Sequence, residues 1–213
     1  MENERLFKAL QKKLKIMIKK IAHRISTSKE LINLPAEWGV EFDLHSYKDN
    51  LVVVHDAFNN GIRLDEFLEF ANGRFLAVNI KEEGIENKVL YTLKKMNYKN
   101  FFLFDVCFPQ VIRLARENSN NLAFRLSQLE KLDFEACRKY ASYLWIDTFD
   151  GTFWLDEKLL IYLKKLSYKL CFVSPELHRP PLGDKQNFLY NLQKYKNILD
   201  QEDSICMKFS SYE

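Results

Sequence analysis

GVEFDLHSYKDNLVVVHD, residues Gly39 to Asp56, reads as two short apolar strands joined by a tight polar turn at Lys48-Asp49-Asn50. Side chains alternate between the two faces of a strand, so Glu41 and Asp43 fall on one face of the first strand, with His45 two residues farther along. The second strand, Leu51 to Val54, is apolar and mostly β-branched and ends in His55-Asp56, which brings an imidazole out where a buried strand meets solvent. Paired carboxylates and a proton carrier therefore lie on neighbouring strand ends.

Working outward, Ile18 to Ala22 is another apolar strand, closed by His23-Arg24. Ser26, Thr27 and Ser28 offer caps for a short helix over Lys29 to Leu34, broken at Pro35, and Arg63 to Phe70 has helical spacing. Beyond it, strand and helix signals alternate. Strands are expected at Phe75–Ile80, Phe101–Phe104, Leu122–Leu126, Tyr143–Ile146, Leu170–Val173 and Ser204–Phe209, with helices near 85–96, 109–117, 133–140, 155–166 and 187–197. With Ile18–Ala22 and Val40–Leu44 this makes eight parallel strands, which favours a small α/β (β/α)8 TIM barrel with shortened loops over an open doubly wound sheet. Function in such barrels gathers at the carboxyl ends of the strands, here His23, Arg24, Glu41, Asp43, His55, Asn79, Lys81, Asp105, Arg125, Asp147, Ser174, Glu176 and His178.

Composition narrows the classes. A net charge of +3 with interleaved acids and bases argues against nucleic acid, and no Gly-rich phosphate loop follows a strand. No apolar run reaches the ~20 residues that cross a bilayer, and the start of the chain lacks an export signal. Cys107, Cys137, Cys171 and Cys206 have no CxxC spacing and are expected as buried reduced thiols, which fits a cytoplasmic setting. Residues 1–20 hold a basic amphipathic helix, Leu6 to Lys20, expected to pack on the barrel rather than on a membrane surface; residues 21–213 form one barrel domain.

The order His23-Arg24, then Glu41-x-Asp43, then an apolar strand with His55-Asp56 resembles the glycerophosphodiester phosphodiesterase family, metal-dependent enzymes built on a (β/α) barrel. The likeness is close as far as Lys81, and beyond it only the rhythm of strands and helices is similar. It implies His23 and His55 as general acid and base, Arg24 and Lys81 on phosphate oxygens, and Glu41 and Asp43 as ligands to Mg²⁺ or Ca²⁺. The family's third carboxylate ligand falls at Asn79 in Leu76-Ala77-Val78-Asn79-Ile80-Lys81, an amide oxygen that brings no charge. Arg125, Glu176 and His178 are candidates for substrate contact. Glu41 and Asp43 could equally form ion pairs with Arg24 or Lys81.

The expected function is metal-dependent hydrolysis of a small glycerol- or polyol-type phosphodiester. The alternative is a catalytically weak or inactive barrel that binds phosphorylated polyols or lipid head groups. A sugar-phosphate isomerase or lyase would also use carboxylates and a metal, but leaves His23-Arg24 with His55 unexplained.

Overall fold

The computed structural model describes residues 18–117, 120–178, 181, 183 and 185–209. Its strands are β1 (Lys19–Ala22), β2 (Gly39–Tyr47), β3 (Asn50–Val53), β4 (Ile62–Arg63), β5 (Leu76–Ile80), β6 (Phe101–Phe104), β7 (Ala123–Leu126), β8 (Tyr143–Ile146), β9 (Lys169–Val173) and β10 (Ser204–Met207). Its helices are α1 (Ser28–Asn33), α2 (Leu64–Ala71), α3 (Glu86–Lys95), α4 (Phe108–Arg116), α5 (Phe134–Arg138), α6 (Glu157–Lys165) and α7 (Lys185–Lys194).

Parallel pairing runs β10-β1-β2-β5-β6 on one side and β7-β8-β9-β10 on the other. The two arcs meet at β6 and β7 through one parallel bridge, Leu103 to Leu122, where Leu103 N–H donates to the Asn121 carbonyl at 2.8 Å. The sheet therefore closes into the barrel and is not the open alternative. β3 and β4 stand outside the ring as an antiparallel extension of β2, with Tyr47 opposite Asn50 and the turn residue Lys48 at φ 53°. This hairpin is the one expected from Lys48-Asp49-Asn50.

Lys19 and Lys20, where the expected amphipathic helix overlaps the expected strand Ile18–Ala22, belong to β1, because pairing with Ser204 and Ile205 holds them extended. Ile18 is a bend, and residues 6–17 of that helix lie outside the described residues. Among those residues no helix is long and apolar enough to cross a membrane.

Period-two alternation sorts the strands into two packing layers. Ile21, Ala77, Phe102, Phe104, Ala123, Tyr143, Trp145, Cys171, Val173 and Cys206 fill the barrel, while the opposite faces pack under the helices. Two ring pairs plug the interior: Phe102 stacks on Tyr143 at 4.7 Å and Phe104 on Trp145 at 4.0 Å. The barrel is a packed core, not a pore. Burial pushes the Cys171 thiol up to about 12, so it stays protonated and inert. Cys107 departs from expectation: it is exposed, because it sits at the entry to α4 rather than inside β6.

The short crossovers are held by local caps. Thr27 and Glu30 form a capping box at α1, and Asp133 and Asp156 cap α5 and α6. The six residues of α1 cannot sustain a helix alone. Arg74 secures its far end by donating to the carbonyls of Pro35, Leu34 (2.7 Å) and Trp38 (3.0 Å). Arg74→Ala would orphan these carbonyls and is expected to destabilise the fold by about 2–3 kcal/mol, read from the midpoint of urea unfolding at unchanged slope.

Candidate active site at the barrel mouth

The parity that turns Ile21 and Ala77 inward also turns inward the side chains two residues on, His23 and Asn79, at the carboxyl ends of β1 and β5. Glu41 and Asp43 on β2 follow the same alternation and are almost completely buried. Asp43 lies in register with Asn79, so the side chains of adjacent strands meet. β3 returns antiparallel along β2, and Val54 N–H donates to the Asp43 carbonyl at 3.1 Å, which delivers His55 to the same place.

Asp43 is the hub. Its Oδ2 accepts from His55 Nδ1 at 2.7 Å and lies 3.6 Å from Arg24 Nε; its Oδ1 accepts from Asn79 Nδ2 at 2.9 Å and lies 3.3 Å from Lys81 Nζ. An ionised carboxylate has only acceptors, so Nδ1 of His55 carries the hydrogen and Nε2 is left for another partner. Arg24 sits at φ 57°, in the left-handed region, and its backbone N–H donates to Glu41 Oε2 at 2.8 Å. A non-glycine residue held in that region costs about 1–3 kcal/mol, a strain that concentrates at functional sites. His45, on the same face, is buried, and its Nε2 contacts the His55 carbonyl at 3.2 Å, so it supports the loop that carries His55.

Burial, followed by the charge of Asp43, raises Glu41 to about 8, against the partial relief of the Arg24 N–H and the Lys81 and Arg24 charges. Burial and the Arg24 charge lower His23 to about 4. At neutral pH the 3.6 Å approach of His23 Nε2 to Glu41 Oε2 therefore joins a neutral imidazole to a protonated acid and is not an ion pair.

Two buried polar atoms of this cluster have no hydrogen-bond partner: Arg24 Nε and Asn79 Oδ1. One is a donor on a cation, the other a neutral acceptor. Orphaned buried groups cost about 1–3 kcal/mol each unless a ligand satisfies them.

A second cluster occupies the β6–β9 side. Arg125 donates through Nε and Nη2 to Asp105 (3.0 and 2.6 Å) and through Nη1 to Asp147 (2.5 Å). Burial opposes its charge, but Asp105 and Asp147 outweigh that and hold its pKa above the ordinary guanidinium value. His178 Nε2 contacts Asp147 Oδ1 at 2.9 Å, and Asp105, like Arg24, takes a left-handed φ of 57° just past its strand. Glu176 accepts from the Ser174 hydroxyl and from Lys208 N–H.

The structure thus brings His23, Arg24, Glu41, Asp43, His55, Asn79 and Lys81 into one network, while Arg125 and His178 join a different one and Glu176 faces neither. Asp105 and Asp147, rim residues in the sequence, are the partners that hold Arg125. Their position at strand ends was the signal; the pairing was not. The acids that could make up for the neutral amide at 79 are engaged elsewhere: Glu82 with Ser46, Glu83 near Cys107, Asp147 with Arg125, Glu176 with Ser174.

Among the described residues no group of three or more His, Cys, Asp or Glu side chains is placed to hold a metal ion. Counting amide oxygen alters the balance, because Asp43, the unsatisfied Asn79 Oδ1 and, once it gives up its proton, Glu41 are hard oxygen donors of the type that Mg²⁺ and Ca²⁺ take. The donor chemistry fits such an ion.

Fold and rim together define a (β/α)8 barrel with an ionisable mouth. No protein-family model and no curated protein matches the chain. Solved structures do. A glycerophosphodiester phosphodiesterase from Agrobacterium tumefaciens superposes with a TM-score of 0.62 at 14% identity, over 89% of this chain and 96% of its own. One from Parabacteroides distasonis gives 0.57 at 14%, over 89% and 92%. A mutant tryptophan synthase α-subunit from Pyrococcus furiosus gives 0.56 at 12%, over 90% and 86%. The fold is shared with glycerophosphodiester phosphodiesterases, and the synthase subunit shows that the fold does not by itself select a reaction.

Proposed function

We propose that the β1–β2–β5 sector of the mouth binds and hydrolyses a small glycerol- or polyol-type phosphodiester. The observation that carries this reading is the complementary pair beside Asp43: Arg24 Nε, a cationic donor that faces Asp43 at 3.6 Å but makes no hydrogen bond, and Asn79 Oδ1, an acceptor without one. An anionic ester accompanied by a cation satisfies both. Its fold relatives among the glycerophosphodiester phosphodiesterases support the same chemistry.

Glu41, Asp43 and Asn79 would hold a divalent ion, Mg²⁺ or Ca²⁺, which when bound polarises the phosphoryl group. Arg24 and Lys81 bind phosphoryl oxygens and offset the negative charge that grows in the transition state. His23, kept neutral by burial, takes the proton of the attacking hydroxyl or water, and His55, in the imidazolium form with Nδ1–H held by Asp43, gives its Nε2 proton to the leaving oxygen and returns to the neutral Nδ1–H form. Arg125 and His178 stand on the side of the mouth where the alcohol would lie. The free, buried thiols of Cys137, Cys171 and Cys206 suit a reducing cytoplasmic setting.

Hydrolysis of bis(p-nitrophenyl) phosphate with added Mg²⁺ or Ca²⁺, and after chelation, tests the proposal. Turnover should need the metal, and Asn79→Glu, by adding ligand charge, should lower the half-saturating metal concentration by about tenfold. Unchanged metal dependence in that variant would remove residue 79 from the ligand set. A second reading, a barrel that binds phosphorylated polyols without turnover, is favoured by the neutral amide at 79 and by the many partners that already surround Asp43. Retained phosphodiester binding with no hydrolysis under either metal would select it.

A further inference from the structure

Three loops that supply the mouth and the first residue of α4 carry large apolar side chains that touch solvent, Phe108 of α4 also stacking on Phe124 at 5.1 Å. Phe58 follows His55 by three residues, Phe108 follows Asp105 by three, Leu129 follows Arg125 by four and Phe149 follows Asp147 by two. They are 93%, 52%, 73% and 42% exposed. Other exposed apolar residues lie singly on outer helix faces and call for no explanation. These four recur at one barrel end, in register with the polar rim.

Phe58 is the clearest case. It holds a left-handed backbone, φ 66°, yet its ring packs against almost nothing. Gly61 lets that loop close tightly, since a Cβ there would overlap the Val53 carbonyl oxygen. Phe149 sits 5.9 Å edge-on from the His178 ring, which joins the apolar rim to the polar floor.

We infer that the mouth works against a lipid surface and that its substrate is an amphiphilic phosphodiester presented there, an inference that rests on the phosphodiesterase reading. Separate apolar projections around an opening suit insertion into a lipid layer, with the charged floor left at head-group depth. A protein seated on the same projections would close the opening through which substrate must enter. The exposed charges of these loops, Asp56, Glu130 and Asp150 against Lys131, are mainly acidic. The surface they fit is therefore zwitterionic and not anionic.

The test is co-sedimentation of the full chain with phosphatidylcholine vesicles, with and without phosphatidylserine. It is paired with turnover of soluble bis(p-nitrophenyl) phosphate and of micellar single-chain phosphatidylcholine. The wild type should bind phosphatidylcholine vesicles with no gain from phosphatidylserine. The double variant Phe58→Ser with Leu129→Ser should bind on the order of tenfold more weakly or worse. It should also lose micellar turnover while keeping soluble turnover. Absence of binding to phosphatidylcholine, binding only with phosphatidylserine present, or equal binding by the double variant would overturn the inference. Vesicle binding by a protein that hydrolyses neither diester would sink the hydrolase reading and leave the surface assignment standing. Hydrolysis of the soluble diester without vesicle binding would do the reverse.

Discussion

His55→Ala is expected to lower kcat toward a phosphodiester by about 10²- to 10⁴-fold, the usual span for loss of one general acid or base. Asp43 holds Nδ1 of the ring and leaves Nε2 for the substrate, with the exposed Asp56 carboxylate 4.0 Å from it. The His55 side chain is 40% exposed, and its removal leaves Asp43 with Asn79, Lys81 and Arg24, so the unfolding midpoint should hardly move. A loss of kcat at constant KM with an unchanged thermal transition is the expected signature. A variant that keeps full turnover would remove His55 from the chemistry, and one that fails to fold would make the residue structural.

The largest effect on stability is expected at Arg125. Arg125→Met strips the counter-charge from Asp105 and from Asp147, whose side chains are 23% and 5% exposed. Breaking a buried ion pair from one side costs about 3–5 kcal/mol because the remaining charge stays out of water. Asp105 can reach solvent and will contribute the smaller part. If the penalty is charge burial, Asp147→Asn in the same background should recover a good share of it, measured as the coupling in a double-mutant cycle by urea unfolding. Additive losses would instead mean that Arg125 acts by packing its stem.

What the sequence shows and what it hides divide along the range of the interactions involved. Alternation placed Glu41, Asp43 and His45 on one face, and the eight-strand rhythm, the hairpin at Lys48-Asp49 and the Thr27 cap all follow from neighbours a few residues apart. The residues that gather at the mouth were legible because their motifs are local: His23-Arg24 and His55 each follow the end of a strand, and Glu41-x-Asp43 alternates within β2. Their wiring to one another was not. Asp43 meets Asn79 across 36 positions of chain, Arg125 meets Asp105 across 20, and Arg74 caps α1 from 40 residues away. No periodicity encodes such partners. Nor did composition reveal the left-handed turns of Arg24 and Asp105, which arise because the chain must leave a strand and enter a short crossover at once.

The central claim, that imidazoles and oxygen donors from β1, β2, the β3 loop and β5 form one phosphodiester site, is open to a direct measurement. The chain has four histidines, His23, His45, His55 and His178, each with its own ring resonances. Titrating a non-hydrolysable phosphonate diester in the presence of Mg²⁺ should shift the ring signals of His23 and His55 together along one binding curve. Shifts confined to His178, or none at all, would contradict it.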